Sequence, residues 1–214
     1  MLTAHNVPGL LSHDEGRTFC TILSTFCRLG YSIEFQVLNS KDFGTLQSRN
    51  RVFIIGYLGR GCAGAVLPFR GASETPDIRR VDENISPLLI KEATQRGYRE
   101  AYPGDSVDLG YVDSNTRRGR VGKGIAHTLN CSRMQGVVTQ EMRVRKLTPQ
   151  ECFRLQGFYD DQIDKILKTV SDTEAYKLAG NAVTVNVVHA LALRLKTAHE
   201  AAVAATGAEE RRAA

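Results

Sequence analysis

The run Arg51-Val52-Phe53-Ile54-Ile55-Gly56-Tyr57-Leu58 constrains this chain most. After the arginine it is apolar on both faces, and it is too short for an ordinary helix. It therefore predicts a strand buried from both sides, and the chain must supply cover above and below it. The flanking segments offer that cover. Tyr31–Asn39 alternates Ile33, Phe35 and Val37 with Ser32, Glu34 and Gln36, the pattern of a strand with one wet face. Ser12-His13-Asp14-Glu15 has the form of a capping box, and Phe19, Ile22, Leu23 and Phe26 follow at helical spacing until Gly30. The fold class read from these elements is α/β.

From Gly59 to about Arg145 the periodicity dissolves into glycine, proline and charge, with short apolar pieces such as AVLPF and SPLLI. This segment reads as a separate, irregular module. Periodicity returns at Thr148-Pro149-Gln150-Glu151, a second capping box with proline at the first helical position, and Gly157 stops that helix. Ser171-Asp172-Thr173-Glu174 repeats the signature. Gly180 is expected to break the new helix before a longer one carrying Val183, Val187, Leu191 and Leu195, and the alanine-rich tail after His199 is expected to fray.

Charge and cysteine usage narrow the class. A net charge of +5 and a pI near 9.0 give a modest attraction to polyanions. Five cysteines, Cys20, Cys27, Cys62, Cys131 and Cys152, include no CxxC pair, and no secretory leader is recognisable. The chain reads as a reduced, cytoplasmic protein. No apolar stretch approaches the roughly 18 residues that a membrane span needs, so no span is expected.

Several apparent motifs dissolve on inspection. GRGCAG at 59–64 matches G-x-G-x-x-G, but the fingerprint must open a helix and Pro68 follows too closely, so it reads as a loop. Ser12, His13 and Asp14 are adjacent and cannot converge as a triad. Cys20 and Cys27 lie two helical turns apart without histidine partners and read as core thiols. The loop TRRGRVGK presents Arg117, Arg118, Arg120 and Lys123 among glycines. It is either a solvated basic loop or a contact for phosphates and base edges. In the extended segment TLQSRNR, alternation places Gln47, Arg49 and Arg51 on one side; solvent-facing arginines at a sheet edge and a shared binding site are both open readings.

Four blocks break the tie. FGTLQSRNRVFIIG resembles the Q-x-R-x-R segment of the DNA cytosine-5 methyltransferases, and RKLTPQECFRLQGF resembles their R-L-Q-G-F block. YKLAGNAVTVNVV is similar to their G-N-[AS]-V block, and NVPGLLSHDEGRTF to the segment after E-N-V. The order matches and the blocks cover residues 5 to about 195. The resemblance implies the C-terminal part of a Rossmann-like sheet using S-adenosylmethionine, with an inserted target-recognition domain. The implied division is 1–58 catalytic, 59–147 recognition, 148–199 catalytic again with a final helix, and 200–214 a disordered tail.

The resemblance also implies chemistry. The family flips a cytosine out of double-stranded DNA, adds a cysteine thiolate to C6 and methylates C5. Arg51 is then expected at O2 of the base, Arg49 in the same site or orienting its neighbours, and Gln47 supporting the loop. Asn181, Ala182 and Val183 are expected to line the cofactor pocket, and Arg117, Arg118, Arg120 and Lys123 to contact DNA. The glutamate and arginine of the Thr148–Phe158 block are expected to be structural.

The departures matter as much. No F-x-G-x-G and no Pro-Cys dipeptide occurs, and His5-Asn6-Val7 stands where the family has E-N-V. An imidazole is a poor replacement for the glutamate, because most of it is neutral at pH 7. Residues 1–5 are therefore expected to be a leader. The chain is expected to need an N-terminal methyltransferase chain bearing the missing motifs, and alone to present an apolar sheet edge. The competing expectation is a non-catalytic DNA-binding remnant that keeps the recognition domain.

Overall fold

The computed structural model describes residues 2–58, 64–69, 85–132 and 134–213, with side chains as far as residue 205. The GRGCAG segment lies outside the described residues except for Gly64, and so does Cys62. The chain is mixed α/β and divides into two compact units. The first comprises Met1–Asn39, Asn50–Ala72 and Val187–Ala214; the second comprises Ser40–Arg49 and Ser73–Asn186.

In the first unit, β1 (Leu2–Asn6), β2 (Tyr31–Asn39) and β3 (Asn50–Leu58) form an antiparallel sheet in the order β1-β3-β2. The apolar run is its central strand. Leu2 to Asn6 pair with Gly56 to Val52 on one side, and Tyr31 to Asn39 pair with Leu58 to Asn50 on the other. Val52 through Tyr57 are buried without a break, as the composition of the run requires. Each large apolar side chain there contributes about 1.5–3 kcal/mol before chain entropy is charged against it. Gly56 makes room for the neighbouring strand, since a Cβ would sit 2.9 Å from the end of Ile33.

Helix α1 (Arg17–Arg28) covers one face of the sheet. Phe19 stands edge-on to Phe35 at 4.8 Å and packs with Val52, Ile54, Leu23 and Ile33. Two of the positions of β2 expected to be wet are engaged by main chain. Glu34 accepts from the N–H groups of Gly64 and Leu67, and Gln36 accepts from Phe69.

Residues 2–6, which include most of the expected leader, form a strand of the sheet. Two local expectations are corrected here. Ser12 caps nothing: Asp14 and Glu15 take left-handed φ values of 52° and 54°, and their carboxylates turn to Arg17. Two successive left-handed residues cannot continue a helix, so α1 begins at Arg17 behind Gly16. Cys20 and Cys27 are exposed, because the Phe19–Leu23 side of α1 is the side that packs.

The second unit opens, in its larger segment, with the hairpin β4 (Leu88–Lys91) and β5 (Tyr98–Ala101). A four-stranded antiparallel sheet follows, built from β6 (Ser106–Asp108), β7 (Val121–Gly122), β8 (Gln135–Val138) and β9 (Val144–Lys146) in the order β7-β6-β8-β9. Strands of two to four residues are too short to print a period of two, which is why this stretch looks irregular in sequence. Helices α2 (Pro149–Leu155), α3 (Asp160–Leu167) and α4 (Asp172–Asn181) belong to the same unit and pack around Phe153, Ile163, Ala175 and Ala179. These helices and the short strands before them fall in one compact unit, which runs to Asn186.

Both halves of the Thr148 capping box form, and Gly157, at φ 82°, ends the turn that α2 leads into. α4 ends at Asn181, one residue past Gly180, and the longer helix follows from Val185, as expected. Gly180 is buried, where a Cβ would come within 2.5 Å of the Asn130 carbonyl group, so it also serves close packing. Helix α5 (Val185–Ala213) starts in the second unit and continues into the first. It remains helical beyond His199, through the stretch expected to be disordered, consistent with alanine's high helix propensity.

One described segment passes for a membrane span by length and composition alone. Asp172–Ala205 contains an 18-residue window of mean hydropathy 1.3, enough by length and composition to cross a bilayer. Val187, Leu191, Leu195 and Ala198 are buried at helical spacing within it, as in the core helix of a globular protein.

Candidate functional site

The Q-x-R-x-R segment is shared between the units: Gln47 and Arg49 belong to the second, Arg51 to the first. Gln47 is fully buried. Its Oε1 accepts from Leu129 N–H at 3.0 Å and its Nε2 donates to Leu155 O at 3.2 Å. The main chain beside it is stitched to residue 126, with Ser48 N–H on Ala126 O at 2.8 Å and Ala126 N–H on Leu46 O at 2.7 Å.

Arg49 is 4 % exposed, and its guanidinium donates to three carbonyls: Leu129 O at 2.8 Å, Gly180 O at 2.8 Å and Ala182 O at 3.2 Å. Two of these lie at the C-terminal end of α4, where the last carbonyls lack partners within the helix. A cation there also opposes the negative end of the helix dipole. Gln156 completes the cap. Its Nε2 donates to Ala179 O at 2.8 Å, its Oε1 accepts from Thr184 Oγ1 at 2.9 Å, and its own carbonyl accepts from Val185 N–H at 2.8 Å. The Gly180–Val183 turn is thus held from two sides by planar groups in fixed geometry.

What the turn presents outward is Asn181, which is exposed, with Ala182 and Val183 half-buried. Asn181 Oδ1 lies 3.2 Å from the Cys131 thiol, which donates to it. A cavity beside α4, lined by Leu129, Gln135, Cys152 and Tyr176, has about 10 Å³ of room, no more than one water fills. That void is far smaller than a cofactor pocket, whose ordinary volume is some 300–1,000 Å³.

Arg51 contrasts with Arg49. It is half-buried in β3 opposite Leu38, donates to Asn50 O at 2.7 Å, and has no ion pair among the described residues. Burial lowers its pKa by penalising the charged form. His5 sits exposed on β1 opposite Phe53, with ring centroids 5.9 Å apart.

The basic loop is mostly occupied internally. Arg120 is buried on the carbonyls of Asp108, Lys91 and Val112, and Arg117 pairs with the Asp108 carboxylate. Lys123 donates to Glu100 O at 2.6 Å and to the Asp105 carboxylate at 3.2 Å. Arg118 alone of the four is fully exposed without an ion pair.

In the R-L-Q-G-F block, Glu151 bonds Thr148 and pairs with Arg145, which holds its carboxyl at about 2, and Arg154 pairs with Asp160. Cys152 beside it is buried, and its thiol is pushed up to about 12 by desolvation, so it is no nucleophile at neutral pH. Gln156, which holds the turn after α4, is not singled out by its local sequence; the block that contains it is the available signal.

The profile of the C-5 cytosine-specific DNA methylase family matches residues 1–197. Type II methyltransferase M1.ScrFI of Lactococcus lactis subsp. cremoris is 30% identical over 206 residues, which cover 89% of this chain and 50% of that protein. Type II methyltransferase M.HpaII of Haemophilus parainfluenzae is 32% identical over 210 residues, covering 86% and 57%. The chain spans about half the length of such relatives. Among solved structures, the Entamoeba histolytica methyltransferase EhMeth superimposes with a TM-score of 0.52 at 17% identity, over 90% of this chain and 61% of that one, a likeness of fold.

Proposed function

Because the chain belongs to the C-5 cytosine-specific DNA methylase family, we propose that it works as the C-terminal part of a DNA (cytosine-5-)-methyltransferase acting on double-stranded DNA in the cytoplasm. A second polypeptide bearing F-x-G-x-G and Pro-Cys supplies the remainder. Neither motif occurs in this sequence, and the buried thiol of Cys152 cannot stand in for the nucleophile. When bound, S-adenosylmethionine would supply the methyl group.

The observation that carries the reading is the contrast between the two arginines. Arg49 spends its charge on the carbonyls of Leu129, Gly180 and Ala182, while Arg51 has no carboxylate to neutralise it among the described residues. A flipped cytosine offers O2 as an acceptor. Attack at C6 builds negative charge toward N3 and O2, and a fixed guanidinium at O2 stabilises that charge more than it stabilises the ground state. Asn181 and the turn held by Arg49 and Gln156 would form part of the cofactor wall, presenting the side-chain amide without a reorganisation cost.

Co-expression with a polypeptide carrying the two missing motifs, followed by digestion with methylation-sensitive endonucleases, tests the proposal. Protection is expected for the pair and is expected to fall at least about a hundredfold with Arg51→Ala, the scale of removing one preorganised donor. Absence of protection by the intact pair would sink it. A second reading, a DNA-binding protein without catalysis, is favoured by one fact: residues 85–146 hold eleven Lys and Arg against six Asp and Glu. DNA binding by the chain with no methylation in any pairing would select that reading.

A further inference from the structure

The structure sorts the cations of the second unit into two kinds. Arg117, Arg120 and Lys123 hold the unit together through Asp108, Asp105 and main-chain carbonyls. Arg96 and Arg118 are exposed and carry no ion pair among the described residues. These two are distant in sequence, yet the fold brings their segments together. Ala93 N–H donates to Arg117 O at 2.9 Å, and Gly119 N–H donates to the Glu92 carboxylate at 2.5 Å.

Glu92 is the joint. It is 2 % exposed, an unusual place for a carboxylate, and Arg99 approaches its Oε2 at 3.4 Å while remaining about half exposed itself. The turn from Glu92 to Gly97 is closed by Glu92 N–H on Gly97 O and Gly97 N–H on Thr94 O, each 3.0 Å. Beside it lies an open groove of about 410 Å³ lined by Arg96, Arg99, Tyr98, Thr94 and Lys123, with Glu100 among them. Tyr102 stacks under Lys123 at 5.1 Å. A turn pinned by a buried acid, with two arginines and a lysine lining an open groove, suits an extended polyanion better than a compact apolar ligand. Guanidinium forks pair bidentately with phosphate oxygens.

We propose that the Glu92–Gly97 turn and Arg118 form a clamp for the DNA phosphate backbone, with Arg96 and Arg118 as its contacts and Arg99, Arg117, Arg120 and Lys123 as its scaffold. The proposal rests on the reading that this chain binds duplex DNA, and it names the residues that touch the backbone. Phosphate contacts of this kind add affinity without base preference and make binding depend steeply on salt.

Fluorescence anisotropy of the full chain on a duplex of random sequence, titrated across sodium chloride concentrations, is the test. Arg96→Gln with Arg118→Gln is expected to reduce the slope of log K against log salt by about two and to raise Kd at least about tenfold at low salt. Arg143→Gln with Lys146→Gln removes equal charge from another exposed region and is expected to change the slope by less than about one. Circular dichroism confirms that both variants stay folded. An unchanged slope in the first variant, or equal losses in both, overturns the clamp while leaving DNA binding intact. No binding by the unaltered chain overturns both the clamp and the reading beneath it.

Discussion

Arg49 and Arg51 are two residues apart and chemically identical, yet their surroundings assign them opposite work. The guanidinium of Arg49 satisfies three carbonyls at a helix end, at 2.8, 2.8 and 3.2 Å. Arg49→Met is therefore expected to lower stability by about 3–5 kcal/mol, since buried carbonyls would lose their partners. Arg51→Met, which gives up a contact to its neighbour's carbonyl, is expected to cost less than about 1 kcal/mol. Urea unfolding followed by circular dichroism measures both, and similar losses would contradict the division of roles. The alternation Gln47, Arg49, Arg51 was legible in the sequence, and with it the choice of residues. The partners were not, because Leu129 and Gly180 lie 80 and 131 positions from Arg49 and no local pattern reports such contacts.

At the scale of elements, two sequences with the same capping signature behave differently. Thr148 Oγ1 accepts from Glu151 N–H at 3.2 Å and Glu151 reaches back to Thr148 N–H at 2.8 Å. Ser12, followed by Asp14 and Glu15 in left-handed conformations, makes no cap. The signature is local, and in the second case a stronger local competitor, the Arg17 guanidinium, takes the acids. Thr148→Ala is expected to cost about 1 kcal/mol, and Ser12→Ala under about 0.5 kcal/mol, in thermal unfolding. The same box carries a pH dependence. Arg145 and the Thr148 amide hold the Glu151 carboxyl at about 2, below its ordinary 4.5, so the stabilisation is complete above pH 4.5 and is lost as pH falls toward 2. The stability gap between the unaltered chain and Glu151→Gln should shrink across that interval; a constant gap would show that the ion pair carries none of the acid sensitivity. The short strands β4 to β9 were illegible for a different reason, being too brief for periodicity, so only composition marks that stretch in the sequence.

For the whole molecule, the central strand is legible because burial on both faces leaves a compositional mark that tertiary context rarely overrides. The compact units are not legible, because they are set by buried long-range bonds such as that from Gln47 to Leu155. The same topology bears on association. In the order β1-β3-β2 both outer strands are sheet edges among the described residues, and β2 is nine residues long. Phe35 and Val37 on β2 are 46% and 40% exposed, where edge strands of stable monomers usually carry charge or a bulge. Loop 64–69 engages Glu34 and Gln36, whose side chains alternate with these two along the strand. The full chain alone is therefore expected to self-associate as concentration rises. Val37→Lys places a charge on that edge at a half-exposed site and is expected to reduce the association with less than about 1 kcal/mol change in stability. Sedimentation velocity over a hundredfold range of concentration measures the first quantity, and urea unfolding the second. If the lysine variant associates as strongly as the unaltered chain, the β2 edge is not the sticky surface, and β1, whose residues 3–6 are exposed, becomes the one to charge next.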